Sequence, residues 1–364
     1  MASRPLRLLH AADFRLDRPC QPLTGLPPRL LDVVVEARYR AVERLIDSAI
    51  AESVDVVLLA GGLLDAVLTG LRGPWHLVEQ FTQLQEAGID VVWCGGSIDS
   101  PHRWPAFVGL PANVRRFTPS ARTPVVIERD GTLPLVAGSQ HGLFASDVRE
   151  TAAKVLLVPS AGGTITQYDA DYLALGGQPQ HIIDPDRAAA FSGSPQGRSA
   201  DEAGPHGGLL VEIAGDRLAD RTTTITPIAT DVLRWERVTL ELDDASSFEA
   251  AVATISTAFE STQRDAEAAS FEAACLQVVV SGTGLAYQRF ASPSRRADLL
   301  QQLRQPALAG DSCVWVSDLL VSPSTTVAAT ESATLSMAAT SAPSQPQSSA
   351  ANGDEHCIPL SIDR

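Results

Sequence analysis

The chain has 364 residues, 45% of them hydrophobic, which suits one large domain or a core domain with a smaller companion. A formal charge of −15 makes the surface acidic on average and weighs against broad, nonspecific nucleic-acid binding, although a local basic groove fits inside an acidic total. No apolar run reaches the roughly 20 residues of a membrane span, and the apolar core before Asp13 is too short for a secretory signal.

The first element in chain order is a short apolar strand, "LRLLH" (6–10), which ends at "AADFRLD". From Pro28 to Glu52, apolar residues at Val42, Leu45, Ile46, Ala49 and Ile50 follow helical spacing, with Pro28 placed to start the helix. "VDVVLLAGG" is a fully apolar strand of the kind buried on both faces. A second helix, Trp75 to Ala87, leads into the strand "IDVVWCGG". This alternation predicts an α/β core with covering helices. "KVLLVPSAGG" and "DYLALGGQPQ" are further apolar runs that stop at small residues or proline. After "HGGLLVEIAGDRL" the rhythm changes: "VLRWERVTLEL", a helix over Ser247–Ser261, "CLQVVVSG", a helix over Arg295–Arg304 and "SCVWVSDLLV" predict a smaller α+β domain. The expected division is 1–228, 229–321 and a Ser/Thr/Ala/Pro-rich disordered tail, 322–364, that lacks periodicity.

Five of the apolar strands end in loops of small residues: "HAADFRLD", "AGGLLD", "CGGSIDSP", "VPSAGG" and "LGGQPQ". Ligands in open α/β sheets gather outside the carboxyl ends of strands, so these loops mark one candidate edge. Its polar groups are Asp13, Arg15, Asp17, Asp65, Ser97, Asp99, Ser160 and Gln178. The glycine pairs are not nucleotide loops. The only lysine, Lys154, stands in no GxxxxGK[ST] context, and no GxGxxG follows the first strand. Cys20, Cys94, Cys275, Cys313 and Cys357 are scattered and form no CxxC pair, which reads as free thiols in a reducing cytoplasm. His10, inside a strand, reads as a satisfied core histidine. His102 and His181, just past strand ends, could with Asp13 and Asp99 make a metal site only if all four converge. Arg115, Arg116, Arg295, Arg296 and Arg304 are solvated surface or phosphate contacts.

"LLHAADFRLDRP", "VDVVLLAGGLLD", "GIDVVWCGGSIDSP" and "YLALGGQPQ" resemble, in order and spacing, the calcineurin-like metallophosphoesterases. "AFSGSPQGRSADEAGPHGGLLVEI", Phe191 to Ile213, is similar to the DNA repair exonuclease branch, the SbcD nuclease subunit and its YhaO-like relatives. The resemblance covers residues 5–215, and the segment beyond is laid out like that family's capping domain. It implies a four-layer α/β/β/α sandwich of mixed sheets with a smaller α+β capping domain.

Family enzymes hold two metals, usually manganese, in a DxH…GDxxD…GNHD…H…GHxH frame, and a metal pair about 3.5–4 Å apart clamps the attacking and leaving oxygens of a phosphodiester. By this resemblance, Asp13 alone of the ligand set is retained. Arg15 stands at a histidine position, Gly62 at the bridging aspartate, Ser97 at the asparagine, Pro159 at a histidine, and Gly177 and Pro179 at the two histidines of the last motif. Ile98 holds the transition-state histidine position, so no catalytic residue is expected, while Asp65 and Asp99 remain as loop-orienting acids. Arg15 is expected to pair with Asp13 or another retained acid and fill the emptied site. The resemblance then implies a non-hydrolysing, cytoplasmic member with no cofactor, or with Mn2+ if the site is rebuilt. Its implied partners are a coiled-coil ATPase of the SbcC type and DNA reached through that complex, with no membrane and with a homodimer left open. Two alternatives stand: an active phosphohydrolase with a rebuilt site, and a fold kept as an interaction module unrelated to DNA.

Overall fold

The computed structural model describes residues 4–139, 152–159, 170–217, 220–269 and 271–323. The apolar runs form the centre of two six-stranded mixed sheets. In the first, β1 (Leu6–Ala11), β2 (Val56–Leu59), β3 (Asp90–Cys94) and β4 (Val114–Phe117) run parallel. Two antiparallel strands, β11 (Gly207–Ala214) and β12 (Thr222–Ala229), extend it beyond β1. The second sheet has the order β5 (Val125–Ile127), β6 (Leu135–Gly138), β7 (Ala153–Val158), β8 (Tyr172–Leu175), β10 (Ala189–Phe191) and β9 (Ile182–Asp184).

Strand periodicity explains why the central runs lack polar residues. Leu6, Leu8, Val56 and Leu58 point between the sheets and meet Leu135, Val155, Leu157 and Tyr172. Their neighbours Leu9, Ala11, Val57 and Leu59 point outward onto Leu45, Ile46, Leu77 and Phe81. Those last four come from the helices α1 (Pro28–Ala51) and α3 (Arg72–Glu86), which follow β1 and β2. Both faces of β1 and β2 are therefore buried. The result is an α/β sandwich of mixed sheets, as the resemblance implies. The segments that join β6 to β7 and β7 to β8 fall largely on 140–151 and 160–169, so the expected outer helical layer lies outside the described residues.

A three-stranded sheet follows, ordered β13 (Leu233–Leu242), β14 (Ala273–Gly282) and β15 (Val314–Pro323). The parallel pair β13–β14 is joined by α4 (Phe248–Ala269), and α5 (Gly284–Ala291) and α6 (Pro293–Ala309) precede β15. Ile255, Leu276, Val278, Phe290 and Val316 fill its core. Trp235, Cys275 and Trp315 pack instead with Leu30, Ala37 and Ala41 of α1, so that helix is buried against both the first sheet and this one. Arg40 and Arg44 of α1 reinforce the contact by pairing with Glu272 at 2.6 and 2.8 Å.

Several element bounds differ from the sequence expectation. Helix α4 runs on to Ala269, because Thr262 and Ala266 turn inward beyond Ser261. Helix α3 starts at Arg72, where Gly73 and Pro74 are buried in its first turn. Helix α6 spans Pro293–Ala309 and stops at Gly310, whose φ of 97° is the left-handed cap that glycine adopts freely. Ser322 and Pro323 belong to β15, so the expected tail begins after them; 324–364 lie outside the described residues. Cys20, Cys94, Cys275 and Cys313 are free thiols; burial pushes Cys20 up to about 11 and Cys94 up to about 12, so both stay protonated and unreactive.

Candidate functional site

The loops after β1, β2, β3 and β8, with Pro159 just past β7, meet at one edge of the sandwich and line a cleft of about 300 Å3. Asp13, Arg15, Gly62, Ser97, Ile98, Pro159, Gly177 and Pro179 all line it. The sequence positions singled out by motif order therefore converge in space. The β1 loop is held onto the β2 loop by backbone hydrogen bonds from Asp13 N to Gly61 O (2.9 Å), Arg15 N to Gly62 O (3.0 Å) and Leu16 N to Leu63 O (3.0 Å). This zipper bends Asp13 and Arg15 into left-handed backbone, with φ of 53° and 48°, which side chains other than glycine rarely adopt.

Asp13 sits at the base of the cleft, where Oδ2 accepts a hydrogen bond from the Gly177 N–H at 2.6 Å. Burial raises its pKa to about 6, against the opposing pull of that N–H and of the Arg15 and Arg198 guanidiniums. Gly62 takes up no space beside it. A Cβ there would lie 2.4 Å from Asp13 Oδ1 and 3.0 Å from Asp13 Cα, at a φ of 76°. Asp13 therefore occupies the volume that a side chain at 62 would need.

Arg15, expected to pair with Asp13 or another retained acid, pairs with the neighbouring Asp17, Nη2 to Oδ2 at 3.4 Å. Asp17 is 2% exposed and also faces Arg18 Nε at 3.8 Å, so it braces both guanidiniums from behind. The reason is geometric: two residues along this turn, the short acid folds back beneath Arg15, while the Asp13 carboxylate is turned toward Gly177. Arg15 Nε is buried without a hydrogen-bond partner.

Asp99 is buried and faces away from the cleft. Its Oδ2 accepts from Leu63 N (3.0 Å) and Trp93 Nε1 (3.1 Å), and Oδ1 from Gly96 N (2.7 Å), tying the β2 and β3 loops together. Asp65 caps the short helix α2 (Ala66–Thr69) through Val67 N at 3.0 Å and pairs with Arg103 at 2.8 Å. Arg18, Gly96, Gln178 and Arg198 complete the lining. Arg18 and Arg198 were not among the sequence candidates for this edge. Arg18 directly follows the first motif, and that proximity was its one signal. Arg198 arrives from the "GSPQGRS" segment, which nothing in sequence places here. That segment is tied to β13: Gln196 Oε1 accepts from Val232 N (3.0 Å) and Leu233 N (3.2 Å), and Trp235 Nε1 donates to Gly197 O (3.1 Å). Arg198 is held by Glu202, Nη2 to Oε1 at 2.6 Å.

Among the described residues, no histidine joins the cleft. His102 and His181 are exposed and line none of it, so the four-residue metal set with Asp13 and Asp99 is not assembled. His10 is fully buried between the sheets, where Nδ1 and the Tyr172 hydroxyl share a 2.7 Å hydrogen bond, and burial lowers its pKa to about 3. Its Nε2 has no partner, so this core histidine is only half satisfied. Arg115 pairs with Asp90 at 3.1 Å, Arg116 lies over the Trp93 and Trp104 rings, and Arg304 donates to Val316 O and Ser317 O. Arg295 and Arg296 lie in the first turn of α6, and none of the five lines the cleft. Ser160 lies outside the described residues.

Comparison with known proteins agrees with this architecture. The family described as metallophosphoesterase YhaO, middle domain, matches residues 235–322, the segment from β13 to β15. A curated relative, the uncharacterized metallophosphoesterase YhaO of Bacillus subtilis (strain 168), is 24% identical over 340 residues, spanning 85% of this chain and 80% of its own. The chain is metallophosphoesterase-like. Among the described residues of this metallophosphoesterase-like chain, no three His, Cys, Asp or Glu side chains come together in a metal-holding group. The donor set in the cleft does not fit a dication pair. Gly62, Ile98, Pro159, Gly177 and Pro179 offer no donor side chain, and Arg15 and Arg198 already act on Asp13, the one carboxylate there among the described residues. No helix among the described residues is long and apolar enough to cross a membrane.

Proposed function

We propose that this metallophosphoesterase-like chain is a non-hydrolysing member of the DNA repair exonuclease branch. In this reading it serves as a binding subunit for a coiled-coil ATPase of the SbcC type and reaches DNA through that complex. One observation carries the proposal: the cleft at the strand ends keeps its walls, while guanidiniums and side chains without donors occupy the positions where metal ligands and the transition-state histidine are expected. Hydrolysis of a phosphodiester needs an activated water and a group to stabilise the leaving oxygen. Among the described residues Asp13 is the only acid lining the cleft and no histidine lines it, and the Asp13 carboxylate is engaged by the Gly177 N–H. What remains is a preformed, arginine-lined concavity on a rigid scaffold. The branch assignment is supported by the Phe191–Ile213 segment, which carries Arg198 to the cleft. A partner surface is supported by exposed Val67, Leu68, Leu71 and Trp75, which follow β2.

The test has two parts. Purified protein is analysed for manganese, iron and zinc by mass spectrometry and assayed on bis(p-nitrophenyl) phosphate with added Mn2+. Substoichiometric metal and no turnover are expected. Stoichiometric metal together with turnover abolished by Asp13→Asn refutes the non-hydrolysing reading. In the second part, tagged full-length protein is used for pulldown from its own cells and for DNA retention at low salt. Recovery of a long coiled-coil ATPase is expected, and absence of both the ATPase and DNA refutes the binding-subunit role.

A further inference from the structure

We propose that the cleft binds a phosphate monoester dianion without any metal, through Arg15, Arg18 and Arg198. The inference rests on the non-hydrolysing reading and gives that site its ligand. Among the described residues three guanidiniums line the cleft against one carboxylate, Asp13. The acids that hold these arginines, Asp17 and Glu202, do not line the cleft. Glu202 takes the Nε and Nη2 of Arg198, and Asp17 makes one contact each with Arg15 and Arg18, so each guanidinium keeps further N–H groups for anion recognition.

Two further features point to a ligand. Among the described residues Arg15 Nε is a buried donor with no partner, so Asp17 satisfies this guanidinium only in part. Asp13 and Arg15 both hold left-handed backbone, at 53° and 48°, a strained conformation that clusters at binding and active sites. The hydrogen bonds from Asp13 N and Arg15 N to Gly61 O and Gly62 O maintain it, with both residues in the lining of the cleft.

Charge decides the class of anion. A phosphate monoester carries about −1.5 to −2 at pH 7 and three strong acceptor oxygens. Three guanidiniums can meet those three oxygens, whereas a phosphodiester presents two non-bridging oxygens and a single negative charge. A cavity of about 300 Å3 accommodates the phosphate group and the start of its ester arm. The same chemistry is offered by the phosphorylated end of a nucleic-acid strand and by free phosphate.

The test uses full-length protein in EDTA. Inorganic phosphate is titrated by calorimetry into the wild type, Arg15→Gln and Arg18→Gln; Arg18 is 64% exposed, so its variant keeps the fold even if the Arg15 variant does not. Saturable binding is expected, weakened about tenfold or more in each variant, the scale of one lost charge-assisted hydrogen bond. Fluorescence anisotropy with a short single-stranded oligonucleotide, 5′-phosphorylated or 5′-hydroxyl, then separates the sources. Tighter binding of the phosphorylated strand assigns a nucleic-acid end, and equal binding of the two strands assigns free phosphate. The inference is overturned if millimolar phosphate gives no saturable heat, or if binding is unchanged in both variants. Binding that requires Mn2+ overturns it together with the non-hydrolysing reading, whereas no binding with or without Mn2+ overturns the inference alone.

Discussion

Asp13 is ionised at neutral pH at the expense of the fold's stability. Burial raises its pKa from 3.8 to about 6, even with the Gly177 N–H and two guanidiniums pulling the other way. One pKa unit corresponds to about 1.36 kcal/mol, so a shift of roughly two units sets an upper bound of about 3 kcal/mol on the cost of the charge. Solvent reaching the open cleft screens part of it, and about 1–2 kcal/mol is the expected working figure. Because the folded-state pKa lies above the unfolded one, folding takes up a proton between them. The stability from this group is therefore complete below about pH 4, declines as pH rises from 4 to 6, and is lost above the folded pKa. Asp13→Asn removes the titration and keeps an oxygen to accept from Gly177 N. The variant is expected to exceed the wild type by about 1–2 kcal/mol at pH 8 and to match it near pH 4. Urea unfolding followed by tryptophan fluorescence, in EDTA across that pH range, measures the difference. An Asn variant equal to or less stable than wild type at pH 8 refutes the reasoning, because it means the carboxylate is stabilised where it stands. A metal held by Asp13 in solution has that same signature when Mn2+ replaces EDTA.

Two further substitutions probe the walls of the cleft. Gly62→Asp restores the acid that the resemblance places there, but its Cβ would lie 2.4 Å from Asp13 Oδ1 at a φ of 76°. We expect a loss of about 2 kcal/mol or more in unfolding free energy and no gain in Mn2+ content; an unchanged unfolding midpoint or stoichiometric manganese contradicts this. Asp99→Ala strands three donors, Leu63 N, Gly96 N and Trp93 Nε1, two of them in the loops that shape the cleft. A loss of about 3 kcal/mol is expected in chemical denaturation, and a change below about 1 kcal/mol shows that water replaces the carboxylate.

Much of the scaffold is legible in the residue pattern. The runs that became β1, β2, β3, β7 and β8 are apolar because both of their faces are covered, and helix α1 shows the spacing of its buried stripe. The short strands are not legible in this way. β5, β9 and β10 have three residues each, too few to display a period, and exist because neighbouring strands supply their hydrogen bonds. In "TTTITPIA", β12 carries Pro227, which only an edge position accommodates.

The candidate site divides along the same line. Motif order alone marked Asp13, Arg15, Gly62, Ser97, Ile98, Pro159, Gly177 and Pro179, and their strand ends come together at one edge of the sandwich once the two sheets pack. The charges around Asp13 were settled by packing. Arg198 reaches the cleft because Gln196 and Gly197 are fastened to β13, and Arg15 leans on Asp17 because a left-handed turn points it there. Residue identity determines which side chains lack donors; only the fold brings three arginines to the cavity at these strand ends, since their convergence depends on long-range contacts that no local pattern encodes.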